Sequence, residues 1–185
     1  MGLKTESVFG RPMQIGYVVK DLKKEIDNWI RGCRVGPWFY SERLVFIGGS
    51  YRGHSYNESE IRKLHLEVAM SHCGEMQIEI ICPGHEVSSI WSEFLQQGKE
   101  GMHHWSGWEA DYDERKAEAE TRGYVLIQEG QVSRGRASYF VDPGSPGTIF
   151  ELADFTEERR RSCDGIRRAA LHWNGEDPVR TKWPT

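Results

Sequence analysis

Four polar residues sit where strands are expected and could each offer an oxygen or nitrogen to a cation: Gln14 in "MQIGYVV", Glu79 in "QIEIICP", His104 in "GMHHW" and Glu151 in "TIFELAD". A carboxylate buried unpaired in an apolar run costs several kcal/mol of desolvation, so Glu79 and Glu151 need a partner or a metal. Two carboxylates neutralise a divalent cation. An imidazole nitrogen and an amide oxygen then complete four positions and leave room for water or substrate, the arrangement of a catalytic rather than a structural site. A lone histidine in a sheet is more often a hydrogen-bonded structural residue, and a glutamine at a strand start means little alone. Position in the chain singles these two out.

The elements that must carry these residues occur twice. "MQIGYVVKDLKKEIDNWIRG" opens with an apolar run, continues with Asp21 as N-cap, and then places Leu22, Ile26, Trp29, Ile30 and Cys33 at helical spacing. "HWSGWEADYDERKAEAETRG" repeats the order, with Asp111 and Glu114 spaced as a capping box. Gln14 lies seven residues before Asp21 and His104 seven before Asp111, so the two donors are equivalent in register. Extended stretches follow each helix, and each half reads β-α-β-β-β. Equivalence then pairs Gln14 with Glu79 and His104 with Glu151, and all four donors can converge. Adjacent strand side chains face opposite ways, so His104 is expected inward and His103 on the outer face.

The first module spans residues 11–83, a helical linker 84–100, the second module 101–155, and a C-terminal helix and tail 156–185. The insertion "GGSYRGHSYNESEI", rich in glycine and polar residues, is expected to be a mobile loop whose Tyr51, His54 and Tyr56 could touch a ligand. Trp108 is expected at a pocket, Trp91 in the core, and Arg134 and Arg136 are expected to be solvated at a strand edge.

Composition bounds the rest. The chain of 185 residues is 38% hydrophobic and carries seven each of Trp, Tyr and Phe, which excludes an aromatic-poor disordered chain. A net charge of −4 without a basic stripe argues against nucleic acid. The four cysteines form no C-x-x-C pair and are expected to be reduced thiols, and "NES" at Asn57 reads as a meaningless glycosylation sequon. With no apolar run long enough to cross a bilayer and no signal peptide, a soluble cytoplasmic protein without a membrane partner is expected.

Taken in order over about residues 11 to 155, "QIGYVVKDL", "QIEIICP", "GMHHW" and "GTIFELAD" resemble the vicinal oxygen chelate superfamily, particularly its glyoxalase and methylmalonyl-CoA epimerase-like members. The resemblance implies an α+β fold in which two paired β-α-β-β-β modules form a cupped, barrel-like mixed sheet around a divalent metal. The ligands it implies are Gln14, Glu79, His104 and Glu151. This set is similar to that of zinc-type glyoxalase I and favours zinc, with nickel, cobalt, manganese and magnesium open; Gln14 departs from the histidine usual in epimerases.

The implied activity is that of an isomerase, epimerase or lyase that abstracts a proton next to a carbonyl, the metal stabilising the enolate or enediolate. Glu151 is the main base and Glu79 its counterpart. The substrate is a small carbonyl compound, with aromatic or bulky ones included, and Trp108, Tyr51 and Tyr56 are the pocket candidates. One alternative is a non-catalytic binding or resistance protein of the same fold. An extradiol dioxygenase is disfavoured because Gln14 stands where its first histidine should be. The resemblance also implies a homodimer, with modules paired either within one chain or between two.

Overall fold

The computed structural model describes residues 7–184. Its first half runs β1 (Gln14–Val18), α1 (Leu22–Asn28, prolonged by a π-helical turn over Trp29–Cys33), β2 (Trp38–Ser41), β3 (Gly48–Tyr51), β4 (His54–Ser55), α2 (Glu58–Lys63), β5 (Leu66–Cys73) and β6 (Met76–Pro83). After α3 (Ile90–Gln96) the second half runs β7 (Gly101–Glu109), α4 (Tyr112–Thr121), β8 (Val125–Val132), β9 (Gly135–Asp142) and β10 (Ser145–Asp154). Helix α5 (Glu157–Leu171) and β11 (Val179–Arg180) follow.

All eleven strands form one curled sheet in the order β11-β2-β5-β6-β1-β7-β10-β9-β8-β3-β4. Each half contributes the same four-strand pattern: β2-β5-β6-β1 and β8-β9-β10-β7. In each, the first and last strands pair in parallel (β1 with β6, β7 with β10), and β1 and β7 join the halves antiparallel. The fold is the α+β cup of two paired modules, and the modules pair within the chain.

Local chemistry explains the elements. Asp21 caps α1, its Oδ1 accepting from the Lys24 backbone N–H at 2.9 Å, and Leu22 and Ile26 bury against Ile78 and Ile80 on the outer face of the sheet. Each such apolar side chain contributes about 2 kcal/mol on burial. Asp111 precedes α4 but its side chain makes no cap hydrogen bond; it accepts from Arg115 instead, so the expected capping box does not form. Asn57 opens α2 with a capping box shared with Glu60, which gives the "NES" triplet a role as a helix start. All four cysteines are free thiols, and no helix among the described residues is long and apolar enough to cross a membrane.

The insertion is not the mobile loop its composition suggested. Gly48–Tyr51 pairs antiparallel with β8, so a segment of the first half crosses to the far edge of the second. The backbone groups of its glycines go into a ladder, which periodicity within the insertion alone does not reveal. Leu44 and Phe46 on the way there line the cup.

Candidate metal centre

Strand alternation sets the inner wall. Gln77, Glu79 and Ile81 of β6 turn into the cup while Ile78 and Ile80 pack outside. In β10, Glu151 turns inward and Leu152 packs outward beside α4. The register places Glu79 beside Gly16 on one side of the central strand pair and Glu151 beside Ser106 on the other. Gly16 faces His104 across the β1–β7 seam, and the lack of a side chain there admits the imidazole: a Cβ would lie 2.0 Å from His104 Cε1 and 2.3 Å from Nε2.

Three of the four anticipated donors meet directly. His104 Nε2 is 3.2 Å from Glu151 Oε2 and 3.7 Å from Glu79 Oε2, and the donor atoms of all three residues lie within 4.8 Å of one another. They are 1%, 3% and 7% exposed for His104, Glu151 and Glu79. Tyr139 of β9 donates its O–H to Glu151 Oε1 at 3.2 Å, while Glu151 Oε2 and His104 Nε2, both buried, have no hydrogen-bond partner. These two atoms, 3.2 Å apart and without a hydrogen-bond partner, are spaced like neighbouring ligands of one cation about 2 Å from each and fit a divalent metal. Without one, the desolvated atoms go uncompensated.

Gln14 lines the same cavity. Its Nε2 donates to Gln77 Oε1 at 2.7 Å, and Gln77 Nε2 lies 3.3 Å from His72 Nε2. Burial, with the charge of Arg167, pushes His72 down to about 4, so it is neutral near pH 7. With His72 Nε2 accepting, Gln77 donates through its nitrogen, accepts through its oxygen, and leaves the Gln14 carbonyl oxygen for a cation.

His103 is not on the outer face. A register shift between Gly16 and Tyr17 makes it the extra residue of a β-bulge in β7, which breaks the alternation, and its Nδ1 lies 3.0 Å from His104 Nδ1. It is buried against Phe94 of α3; burial and the neighbouring His104 hold it down to about 3. His103 therefore stands behind His104 as a neutral partner.

The two carboxylates differ. Burial, then the charge of Glu151, pushes Glu79 up to about 7 against the pull of His104, Arg134 and Arg159. Burial also raises Glu151, but the close approach and charge of His104 outweigh it and hold this carboxyl below its ordinary value.

Trp108 lines the cavity, and so does Trp91, placed by expectation in the core alone. Tyr51 and Tyr56 do not. The Tyr51 hydroxyl donates to Glu93 at 3.0 Å and the Tyr56 hydroxyl to the Ser88 carbonyl at 2.7 Å, which turns both toward the segment holding α3. Arg134, expected to be solvated, lines the cavity with Arg159 of α5, while Arg136 pairs with Asp113 and Asp154. Tyr139 was discoverable by counting back across the hairpin from Glu151, its β9 partner. Arg159 carries no such signal, since helical spacing does not name the surface a helix covers.

The cavity volume is about 70 Å³, room for a cation with a few waters or a compact reacting group.

A family model described as the Glyoxalase/Bleomycin resistance protein/Dioxygenase superfamily matches residues 13–141. Among solved structures, the chain is similar to a hypothetical protein from Bacillus halodurans C-125 at 20% identity and a TM-score of 0.57, covering 80% of this chain and 95% of that one. It is similar to methylmalonyl-CoA epimerase from Mycobacterium tuberculosis at 16% identity and a TM-score of 0.55, covering 82% and 91%. A Streptomyces coelicolor methylmalonyl-CoA epimerase variant in complex with 2-nitronate-propionyl-CoA matches at 17% and 0.52, covering 77% and 92%. At these identities the likeness is one of fold. No curated protein matches the chain.

Proposed function

The chain belongs to the glyoxalase, bleomycin resistance protein and dioxygenase superfamily, and from that premise we propose that it is a divalent-metal-dependent isomerase, epimerase or lyase abstracting a proton next to a carbonyl. The observation that carries this reading is the buried Glu79–His104–Glu151 group with its two orphaned atoms. These three residues with Gln14 would hold the cation, zinc being favoured by the donor set. When bound, a divalent cation supplies Lewis-acid polarisation of a carbonyl oxygen, which acidifies the adjoining C–H.

The chain's own residues do the rest. Glu151, kept ionised beside His104 and oriented by the Tyr139 hydroxyl, takes the proton. Glu79 comes from β6, across the central β1–β7 pair from β10, so it faces the substrate from the other side and can return a proton there. The apolar lining, with Leu66, Val68, Ile81 and Trp108, excludes bulk water. A volume of this size encloses the reacting carbonyl and its neighbours, and the remainder of a bulky substrate would extend beyond it.

Elemental analysis of purified protein tests the metal. About one divalent ion per chain is expected, lost in His104→Ala and Glu151→Ala; stoichiometric metal surviving both changes overturns the site. Incorporation of solvent deuterium into α-acidic carbonyl compounds by metal-loaded protein tests the chemistry, and its absence across a broad panel overturns proton abstraction.

A further inference from the structure

Two guanidinium groups complete the lining of the cavity. Arg134 stands in the two-residue turn between β8 and β9, and Arg159 in the first turn of α5. Neighbouring arginines are neutralised: Arg136 by Asp113 and Asp154, Arg160 and Arg161 by Glu157. Among the described residues, neither Arg134 nor Arg159 has a carboxylate within ion-pair distance.

What holds them carries no charge. Arg134 donates to Ser162 Oγ at 3.2 Å and lies over the Trp183 ring, 4.8 Å from its centroid. Arg159 donates to the Arg136 carbonyl at 3.2 Å, and its Nε is buried with no partner. A ring under Arg134 and neutral acceptors fix the two forks in place, and the carboxylates that their charge reaches in the cavity are Glu79 and Glu151. Burial, and then the charge of Arg159, lowers the readiness of Arg134 to stay charged.

Charge balance turns this into a statement about the ligand. Glu79 and Glu151 offset a divalent cation, so a loaded site leaves two sheltered positive charges facing one small cavity. Such charges call for a counter-ion. We infer that the substrate is a carbonyl compound bearing an oxyanion, carboxylate or phosphate, which Arg134 and Arg159 hold at the α5 side of the cavity. The inference rests on the proposed function, for the carbonyl and for the cation that takes up the charge of Glu79 and Glu151.

Calorimetric titration of malonate, inorganic phosphate and neutral dimethyl malonate into metal-free and zinc-loaded protein tests it. Malonate or phosphate should bind one per chain and weaken about 10-fold or more in Arg134→Gln and in Arg159→Gln. Arg159→Lys should restore part of the affinity, Arg160→Gln should leave it unchanged, and the diester should not bind. Tighter malonate assigns the seat to a carboxylate, tighter phosphate to a phosphate ester. Undiminished affinity in both Gln variants, or equal binding of the diester, overturns the inference. The metal-free arm separates the two readings: arginine-dependent binding in a protein that takes up no metal sinks the metal chemistry and keeps the seat. Metal uptake with arginine-independent binding does the reverse.

Discussion

The two halves of the cup share a backbone plan and differ in what stands behind each donor. Gln14 and His104 occupy equivalent places, each opposite the partner strand's small residue, Ser106 and Gly16. Behind Gln14 the first half places Gln77 and His72; the second half has Ile149 where Gln77 would be, and supports His104 with the bulged His103. The carboxylates diverge too: burial and the charge of Glu151 push Glu79 up to about 7, while the close His104 holds Glu151 below the ordinary range. A duplicated backbone can therefore carry a handed site, with one side keeping its charge and the other disposed to carry a proton. The donor, glutamine in one half and histidine in the other, and the support behind it had to change.

The largest effect that would break this comparison is chemical. Glu151→Gln should lower the rate of solvent-deuterium exchange by about 10²- to 10⁴-fold, the usual scale for losing a general base. Glu79→Gln should slow return of the proton at the opposite face while sparing part of the exchange. Equal losses in both variants would argue for interchangeable carboxylates.

Next comes an exchange of equivalent residues across the seam. Gly16→Ser drives a side chain into the His104 ring and should cost about 1–3 kcal/mol with loss of metal uptake, read by urea denaturation and elemental analysis. Ser106→Gly removes a buried hydroxyl beside Glu151 without driving anything into the His104 ring and should cost about 1 kcal/mol.

A pH series sharpens the contrast between the two supports. His72 is held at about 4 against an ordinary 6.5, so between those values the unfolded chain binds more protons than the folded one. Stability should fall as pH drops through that window, by up to about 3 kcal/mol from this residue, and be insensitive to it above 6.5. His72→Gln should remove its share of that slope in urea midpoints, leaving the share that His103, held down to about 3, contributes between pH 6.5 and 3.

The smallest effect lies at the helix starts. Asp21→Ala removes a cap hydrogen bond and should cost about 1 kcal/mol. Asp111→Ala removes only a partly exposed pair with Arg115 and should cost less, about 0.5 kcal/mol or below, by thermal unfolding.

Much of this arrangement could be read before any coordinates, for identifiable reasons. Residues such as Leu22, Ile26, Ile78 and Ile80 obey the 3.6 and 2.0 periods because one face of each element is buried, and Glu79 and Glu151 stood out against those faces. His103 escaped because a bulge adds a residue without marking it in the sequence. Pairing of β3 with β8 escaped because a ladder to a distant strand leaves no local pattern, and Tyr51 and Tyr56 followed that segment away from the cavity. Arg159 escaped because its neighbours in space lie on strands far from it in the chain.

That crossing of β3 onto β8 has a consequence for how the molecule can be cut. The halves meet along two seams, β1 with β7 and β3 with β8, and α3 is only one of the ties between them. A chain severed after Gly98, between α3 and β7, should remain one particle. Two fragments expressed separately should find each other and rebuild the cup, which would make this fold a natural split reporter whose reassembly is read by the return of the Glu79–His104–Glu151 group.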